Sequence, residues 1–337
     1  MDKGTNNFFH QKIVAEIGSV HDGSFGNALK LIDAAYRAGA DVVKFQTHIS
    51  EAETIKSAPN PNYFRSESRY EYFKRTAFTL DQWIKIKEKC DEIGVIFISS
   101  PFSIEAVDLL EKVGVAAYKI PSGELTNLPL LKVISEAGKP VLLSSGMSNW
   151  LEIDQAVEVL KPNCDLTVMQ CSSIYPCPNN KVGLNIVKEI ANRYSLPVGF
   201  SDHTLGFAAS IAAAAYGAYV VEKHFTFSKK MYGSDAKNAM EPEDFKIFSD
   251  SVKSVWEIIS NPVNKDDISE YKEMKMTFQK SIVASGDLTA GTIITEQNLA
   301  YKKPGTGLSP MVYKSILGKK LKKSKSKDEQ ILSGDLK

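Results

Sequence analysis

Residues 198–226 read VGFSDHTLGFAASIAAAAYGAYVVEKHFT and contain two short apolar runs, VGF and YVV. Each run leads within a few residues to a histidine, His203 after the first and His224 after the second. If the runs are neighbouring parallel strands joined by a helix at 205–216, both histidines emerge on the same rim, about one strand spacing apart. Two imidazoles so placed can share a divalent metal ion with carboxylate, water and substrate oxygens. The alternative is that both are structural histidines, hydrogen-bonded at strand ends.

The composition is that of an ordinary globular protein, with 43% hydrophobic and 24% charged residues in a chain of 337. A formal net charge of +1 offers no basic field for a polyanion, so no nucleic-acid partner is expected. No apolar run approaches about 18 residues and no signal-peptide pattern begins the chain, so no membrane partner is expected either. Four cysteines without metal-binding or redox spacing are interpreted as reduced thiols of a cytoplasmic protein: Cys90, Cys164, Cys171 and Cys177.

Eight short β-rich runs alternate with helical segments up to about residue 261. Most of the runs are nearly continuously apolar, which is typical of parallel strands covered on both faces. The segments between them carry apolar residues at helical spacing and often stop at a glycine, as 104–113 does before Gly114. This rhythm predicts an α/β fold, a (β/α)8 TIM barrel; a doubly wound open sheet is the alternative, but its Gly-rich loop is missing. The predicted strands are 13–17, 41–46, 95–100, 116–120, 140–145, 166–172, 197–200 and 218–225.

The pattern divides the chain into a barrel at 1–262, a polar linker at 263–280 and a small compact domain at 281–337. The small domain shows short strand-like runs with Gly turns and no long amphipathic helix. Within the barrel, 47–74 is too long for a single connection and is interpreted as an inserted loop over the barrel mouth. This loop is either a lid over the substrate or a surface excursion without a role.

Polar side chains follow every predicted strand. Because chemistry in such barrels lies at the carboxyl ends of the strands, all of them are expected on one rim. A single lysine or serine at a strand end has an ordinary structural explanation, but the repetition over eight strands favours a site. The residues are Glu16, Lys44, Gln46, Ser99, Ser100, Lys119, Ser122, Glu124, Ser144, Ser145, Gln170, Ser172, Ser173, Tyr175, Ser201, Asp202, His203 and His224.

The composition of this rim indicates its chemistry. Two lysines inside a barrel mouth are costly to bury unless anions pair with them, so Lys44 and Lys119 predict a site for a phosphate or carboxylate. Two histidines and a glutamate without a thiolate suit Mn²⁺, Fe²⁺, Co²⁺ or Zn²⁺ acting as a Lewis acid. Glu16 and Glu124 are acid–base candidates. The rim therefore predicts metal-assisted chemistry on a small anionic, phosphorylated substrate with a carbonyl partner.

Seven motifs run in order along nearly the whole chain: AEIGSVHDGSFGNALKLIDAAYRAGADVVKFQTH, YKIPSGE, LLSSGM, SSIYPCP, GFSDHTLG, EKHFT and KKPGTG. Together they resemble the sialic acid synthase family, which includes N-acetylneuraminate synthase and the legionaminate and pseudaminate synthases. The resemblance implies a barrel followed by an antifreeze-protein-like (SAF) domain, in a domain-swapped homodimer where each small domain covers the partner's active site. The implied reaction condenses phosphoenolpyruvate with an open-chain N-acetylhexosamine and releases phosphate.

The same motifs imply the roles of single residues. His203 and His224 match the family's metal ligands, usually for Mn²⁺, with Mg²⁺ or Co²⁺ as alternatives. Glu16 matches a carboxylate that handles the water or a proton, so these three are the implied catalytic residues. The positions implied for phosphoenolpyruvate are Lys44, Ser100, Lys119, Ser122, Ser144, Ser173 and Ser201. Those implied for the sugar are Gln46, Glu124, Tyr175, Asp235 and Lys303.

The chain departs from the family pattern at three positions. Val20 precedes His21 where the family commonly has asparagine, and Ser173 stands where asparagine often precedes IYP. Lys303 occupies the place of an arginine that reaches the partner's sugar. Lysine keeps the positive charge but cannot form the two parallel hydrogen bonds of a guanidinium. This change therefore puts the identity of the sugar in question.

The leading expectation is an N-acetylneuraminate synthase that uses N-acetylmannosamine. The alternative is a legionaminate or pseudaminate synthase that uses a 2,4-diacetamido-trideoxy hexose. In either case C3 of phosphoenolpyruvate attacks the metal-polarised aldehyde, water adds at C2, and the intermediate loses phosphate. Two alternatives are more remote. A non-catalytic sugar-binding barrel would not need the intact set of lysines and histidines. A Schiff-base aldolase would need no metal and would release no phosphate.

Overall fold

The structure is a computed structural model that describes residues 7–60, 67–233 and 235–337. The chain separates into two compact units, Met1–Asn261 and Pro262–Lys337. The second unit includes residues 263–280, and the division into barrel, linker and small domain stays a prediction. No helix in the described ranges combines the length and apolar character needed to cross a lipid bilayer.

Eight parallel strands close into a barrel in sequence order, and the last strand pairs with the first. All eight strand predictions, and the barrel that they imply, are confirmed; the strand ends differ from the predicted ones by a residue or two. The strands are β1 (Lys12–Gly18), β2 (Val42–Thr47), β3 (Ile96–Pro101), β4 (Tyr118–Ile120), β5 (Val141–Ser144), β6 (Leu166–Cys171), β7 (Val198–Asp202) and β8 (Val220–His224).

Local sequence signals mark several ends of the helices around the barrel. Gly94 and Gly114 end their helices in the left-handed conformation, and Asn149 with Glu152 forms a capping box. The helix predicted at 205–216 is shorter, Ala208–Ala215. The helices are α1 (Phe25–Arg37), α2 (Ser50–Glu53), α3 (Arg69–Thr76), α4 (Leu80–Ile93), α5 (Ile104–Val113), α6 (Leu128–Ala137), α7 (Trp150–Leu160), α8 (Asn185–Tyr194), α9 (Ala208–Ala215) and α10 (Pro242–Ser260).

The predicted insertion at 47–74 is in part helical. It contains α2 and most of α3, while 61–66 lie outside the described residues. Helix α3 begins at an N-cap, Ser68, whose side chain accepts a hydrogen bond from the backbone N–H of Glu71. Side chains of α3 contribute to the barrel mouth, as shown for the site below.

The inward-facing side chains of the strands form two layers. The lower layer is a buried apolar cluster of Phe9, Val14, Val42, Ile98, Ala117, Leu142, Met169 and Val220. Because side chains alternate between the two faces of a strand, the residue two positions further along also points inward. At these next positions stand Glu16, Lys44, Ser100, Lys119, Ser144, Cys171 and Glu222. The apolar layer thus supports a layer of polar side chains at the carboxyl ends of the strands.

His21, in the turn after β1, is buried as a neutral imidazole. Its ring stacks on Phe78 with centroids 4.4 Å apart, and its Nδ1 accepts the N–H of Gly23 at 3.1 Å. Burial, with a smaller contribution from His48, lowers the pKa of His21 to about 3. Between pH 3 and its ordinary value of 6.5, the unfolded chain therefore binds more protons at this site than the folded one. Stability consequently falls as the pH is lowered through this window.

We expect His21 to lower the unfolding free energy by about 3 kcal/mol as the pH falls from 7 to 4. Denaturant unfolding of the wild type and a His21→Leu variant at both pH values measures it. The variant should lose less stability on acidification than the wild type, whatever its stability at pH 7. Equal losses in both proteins would show that His21 does not titrate as this environment requires.

The C-terminal unit has short elements around its own small core. Strands β9 (Ser281–Ala284) and β10 (Leu299–Lys302) pair antiparallel, and the described helices are α11 (Lys272–Phe278) and α12 (Tyr313–Ile316). The predicted short strands are present, and the described residues of this unit form no long helix. Helix α11 falls within the segment predicted as a linker. The core consists of Ile282, Ile294, Leu299, Ile316, Leu321, Ile331 and Leu336.

Candidate active site

A cavity of ≈ 490 Å³ opens at the carboxyl ends of the barrel strands. Its lining contains most of the polar residues predicted for the rim, and side chains from α3 and from the loop after β8 complete it. The predicted residues that line it are Glu16, Lys44, Gln46, Ser100, Lys119, Ser122, Ser144, Ser173, Tyr175, Ser201, His203, His224 and Asp235. The barrel therefore brings together side chains that are spread over more than two hundred residues of sequence.

Two buried lysines lie at the base of this cavity, and carboxylates hold both of them. Lys119 Nζ donates to both oxygens of Glu222 at 2.8 and 2.9 Å. Lys44 Nζ lies 3.2 Å from Glu222 Oε1 and 3.2 Å from Glu16 Oε2. Ser201 also donates to Glu222, at 2.9 Å. The prediction that buried lysines need anions is therefore met within the protein itself, by Glu222 and Glu16.

The electrostatics of the two lysines differ. Burial alone lowers the pKa of Lys44, but Glu16 and Glu222 outweigh it and hold that pKa above its ordinary value. The pKa of Lys119 is lowered, because its burial and the charge of Lys44 outweigh its pairing with Glu222. Burial opposes ionisation of Glu222 as well, yet the two ammonium groups hold its pKa well below its usual range. The cluster is thus a carboxylate shared by two cations.

Several serine hydroxyl groups line the cavity with the two lysines. Ser100 Oγ is buried and has no hydrogen-bond partner among the described residues. Around Gly146, a built Cβ atom would collide with Ser122 Oγ and Ser173 Oγ and come within 3.2 Å of Cys171 Sγ. Glycine therefore leaves a small cradle lined by two hydroxyls and a thiol, next to two ammonium groups. This is an arrangement suited to the oxygens of a small anion.

The two predicted metal ligands lie side by side in the cavity, their ring centroids 5.5 Å apart. His203 Nδ1 lies 2.8 Å from the carbonyl oxygen of Ser172, to which it donates, so its Nε2 carries a free lone pair. His224 Nδ1 is buried without a hydrogen-bond partner in the described structure. One metal about 2.1 Å from a nitrogen of each ring spans such a separation.

In the described ranges, this cavity included, no group of three or more histidine, cysteine, aspartate or glutamate side chains is arranged to hold a metal, so the two imidazoles are the protein ligands offered here. The residues present thus fit a divalent ion held by two imidazoles, with water and substrate oxygens in the remaining positions.

A hydrogen-bonded series of side chains leads from Glu16 toward the insertion. Gln46 Nε2 donates to Glu16 Oε1 at 2.7 Å, and Gln46 Oε1 lies 3.1 Å from His48 Nε2. His48 Nδ1 lies 2.9 Å from both carboxylate oxygens of Glu53. The His48 ring stacks between Phe73 and Phe102, with centroids 3.5 and 4.1 Å away. This end of the cavity consequently presents aromatic rings, with the charged groups of Glu53 and Arg69 in contact with them.

Two predicted site residues are not among the described residues that line the cavity. Glu124 is half-buried and accepts a hydrogen bond from Asn127 at 2.9 Å, and its burial raises its pKa. Lys303 belongs to the C-terminal unit, where its ammonium lies 5.2 Å from the ring centroid of Phe278. Roles for these two residues stay predictions.

The sequence reasoning also assigned some rim residues to the wrong face of the barrel wall. Asp202 pairs with Lys223 at 3.0 Å and accepts from Ser210 at 2.6 Å, away from the cavity. Ser99 lies 2.7 Å from Thr47 Oγ1 in the same outer layer. Each is the neighbour of an inward-facing residue, and the alternation of a strand turns it outward.

The most important residue that sequence reasoning missed is Glu222. It lies two positions before His224 on β8, so the same alternation that places His224 inward could have identified it. Cavity residues from the insertion and loops had no such signal: His48, Arg69, Phe73, Phe102, Met147, Lys237 and Asn238.

A TIM barrel with two lysines, several hydroxyls and two histidines at its carboxyl end defines an enzyme that acts on a small anionic substrate. A model of the NeuB family matches residues 31–264, and a model of the SAF domain matches 279–337. The chain belongs to the NeuB family, and the resemblance read from its motifs is confirmed. It is a phosphoenolpyruvate-dependent nonulosonic acid synthase, a transferase that forms a carbon–carbon bond. Enzymes of this family are generally metal-dependent.

Three known proteins illustrate the similarity. The chain is 37% identical to the N,N'-diacetyllegionaminic acid synthase of Campylobacter jejuni, over 95% of this chain and 98% of that protein. It is 31% identical to the human N-acetylneuraminate-9-phosphate synthase, over 95% of this chain and 91% of that protein. The crystal structure of N-acetylneuraminic acid synthetase from Leptospira borgpetersenii superposes with a TM-score of 0.69 at 28% identity, covering 79% of this chain and 90% of that one.

Proposed function

We propose that the acceptor of this synthase is a 2,4-diacetamido-trideoxy hexose and that its product is a legionaminate-type nonulosonate. The observation that carries this proposal is the 37% identity with the diacetyllegionaminic acid synthase, against 31% with the human N-acetylneuraminate-9-phosphate synthase. The proposal therefore places the alternative acceptor ahead of N-acetylmannosamine, which the motifs alone led us to expect.

The aromatic end of the cavity supports this acceptor. Phe73 and Phe102 flank the buried ring of His48 and offer apolar faces. Compared with N-acetylmannosamine, this sugar has a methyl in place of the hydroxymethyl group and a second acetamido group in place of one hydroxyl, so it carries more apolar surface. Burying that surface against aromatic rings contributes about 25 cal/mol for each Å² removed from water.

Phosphoenolpyruvate is assigned to the lysine end of the cavity. Its phosphate and carboxylate compete with Glu222 for the ammonium groups of Lys44 and Lys119. Charge-assisted hydrogen bonds of this kind are about twice as strong as neutral ones. Hydroxyl donors stand around the same place, and we assign the following to this substrate: Ser100, Ser122, Ser144, Ser173 and Ser201.

The reacting atoms meet between these two ends. A divalent metal at His203 and His224, Mn²⁺ in this proposal, supplies Lewis acidity toward the acceptor aldehyde when it is bound. Glu16 faces both Lys44 and Gln46 and is placed to take a proton from the water that attacks C2. Gln46, Tyr175 and Asp235 orient the acceptor beside it. The tetrahedral intermediate then expels phosphate, whose charge the two lysines stabilise.

The test is phosphate release from phosphoenolpyruvate by EDTA-treated protein supplied with Mn²⁺. We expect a kcat/KM at least about 10-fold higher with the diacetamido hexose than with N-acetylmannosamine, which corresponds to about 1.4 kcal/mol of differential binding in the transition state. Product mass identifies the nonulosonate formed. A preference for N-acetylmannosamine would contradict the proposed acceptor, and release without any sugar would contradict the reaction.

The domain-swapped homodimer, with Lys303 reaching the partner's sugar, is a further part of this proposal that rests on the resemblance. Sedimentation equilibrium of the full chain tests the assembly. A monomer at assay concentration would exclude a role for Lys303 in trans.

A further inference from the structure

Arg69, the first residue of α3, differs from the two buried lysines of the cavity. Lys44 and Lys119 are held by carboxylates, whereas the Arg69 side chain makes no ion pair with any described residue. Its Nε is buried and has no hydrogen-bond partner there. A buried N–H without a partner costs folding free energy, and such a group in a binding cavity commonly finds its partner in the ligand.

The guanidinium of Arg69 is held in place by an aromatic ring. Its Cζ lies 5.3 Å from the ring centroid of Phe73, which itself stacks on His48. The backbone N–H of Arg69 donates to Asn60 Oδ1 at 2.8 Å, which fixes the start of the helix. The aromatic contact positions the planar fork while leaving its N–H groups available to a substrate.

The position of Arg69 indicates which part of the acceptor it meets. A series of contacts runs from Glu16 to Gln46, His48, Phe73 and finally Arg69. The aldehyde of the acceptor must lie at the beginning of this series, beside the histidines and phosphoenolpyruvate. Arg69, at its other end, therefore meets a substituent remote from the reacting carbon.

We infer that Arg69 and Phe73 form the subsite for the second acetamido group of the acceptor, the group that N-acetylmannosamine lacks. An acetamido group carries a carbonyl oxygen, which accepts from the guanidinium, and a methyl, which packs on the aromatic ring. The inference rests on the proposed function and deepens it, because it names the residue that selects the acceptor. Arg69 takes no part in the chemical step.

The test compares kcat/KM for the two acceptors in Arg69→Met, Arg69→Lys and the wild type. Loss of a hydrogen bond from a charged donor should lower kcat/KM for the diacetamido hexose by about 10- to 100-fold in Arg69→Met, mainly through KM. With N-acetylmannosamine, kcat/KM of the same variant should change by less than about threefold, because no contact to this sugar is lost. Arg69→Lys should recover part of the loss, since it keeps the charge without the fork. The KM for phosphoenolpyruvate should stay unchanged.

Lys74→Met is the matched control. Lys74 lies on the same helix, its side chain is 54% exposed, and it pairs with Glu51 outside the cavity. Lys74→Met should leave kcat/KM unchanged with both acceptors. An equal fall with both acceptors, or none, in Arg69→Met would overturn the assignment of Arg69 while leaving the proposed function intact. A wild type that prefers N-acetylmannosamine would overturn both.

Discussion

Replacing Glu222 with methionine is expected to lower the unfolding free energy by about 3–5 kcal/mol, since it leaves buried ammonium groups without their shared counter-charge. Lys119 has its ion pair with Glu222, and Lys44 divides its contacts between Glu222 and Glu16. Ser201 loses its acceptor as well. Against a typical stability of about 5–15 kcal/mol, this is a large loss.

Denaturant unfolding of Glu222→Met measures the effect, and a second variant separates charge from packing. Lys119→Met combined with Glu222→Met replaces the ion pair by apolar side chains of similar length. The double variant should regain most of the stability, because buried pairs replaced by hydrophobic residues are often neutral or stabilising. Glu51→Met removes an exposed carboxylate, 55% accessible, that also pairs with a lysine, and should cost far less. Equal losses in Glu222→Met and Glu51→Met would contradict the account of the buried cluster.

The barrel could be predicted from sequence because its signals are local. Each strand is a short apolar run, and each following helix carries its own spacing and stop, as at Gly114. Eight such units predict the fold class. In the structure the barrel is closed because β8 pairs with β1. Local signals also predicted that Lys44 and Lys119 need a counter-charge, which Glu16 and Glu222 supply in the structure.

The missing information concerned which face of a strand a residue occupies. In nearly continuous apolar strands both faces are buried, so the hydrophobic pattern does not distinguish inward from outward positions. Asp202 was consequently assigned to the rim, and Glu222 was overlooked although it shares a face with His224. Once one side chain of a strand is known to point inward, the residues at alternate positions also point inward, and this rule would have corrected both errors.

The aromatic end of the cavity could not have been predicted in this way. His48 follows β2, Phe73 lies on α3 and Phe102 follows β3, so the stack joins three elements with no common spacing. Only the packing of the insertion on the barrel brings them together. The residues proposed to select the acceptor are therefore harder to identify from sequence than those proposed to bind phosphoenolpyruvate.

Replacing His203 or His224 with alanine is expected to lower kcat by about 10³-fold or more, because one imidazole cannot hold a metal that two imidazoles share. The same variants should weaken Mn²⁺ binding to the EDTA-treated protein by at least about 10-fold. Electron paramagnetic resonance of free Mn²⁺ during a titration measures this affinity without reference to turnover. His10→Ala is the matched control, since His10 precedes β1 and contacts Tyr219 at the opposite end of the barrel.

The metal affinity decides between the two roles that the pair of histidines allows. If both are structural, alanine should lower the melting temperature and leave Mn²⁺ binding as in the wild type. If they are ligands, the affinity should fall while the melting temperature of the metal-free protein changes little, since His224 Nδ1 makes no hydrogen bond to the described residues that could be lost. His203 differs, because its Nδ1 holds the carbonyl of Ser172, so its replacement should also cost some stability. The His224 variant is therefore the cleaner test, and unchanged Mn²⁺ affinity in that variant would contradict a metal shared by the two imidazoles.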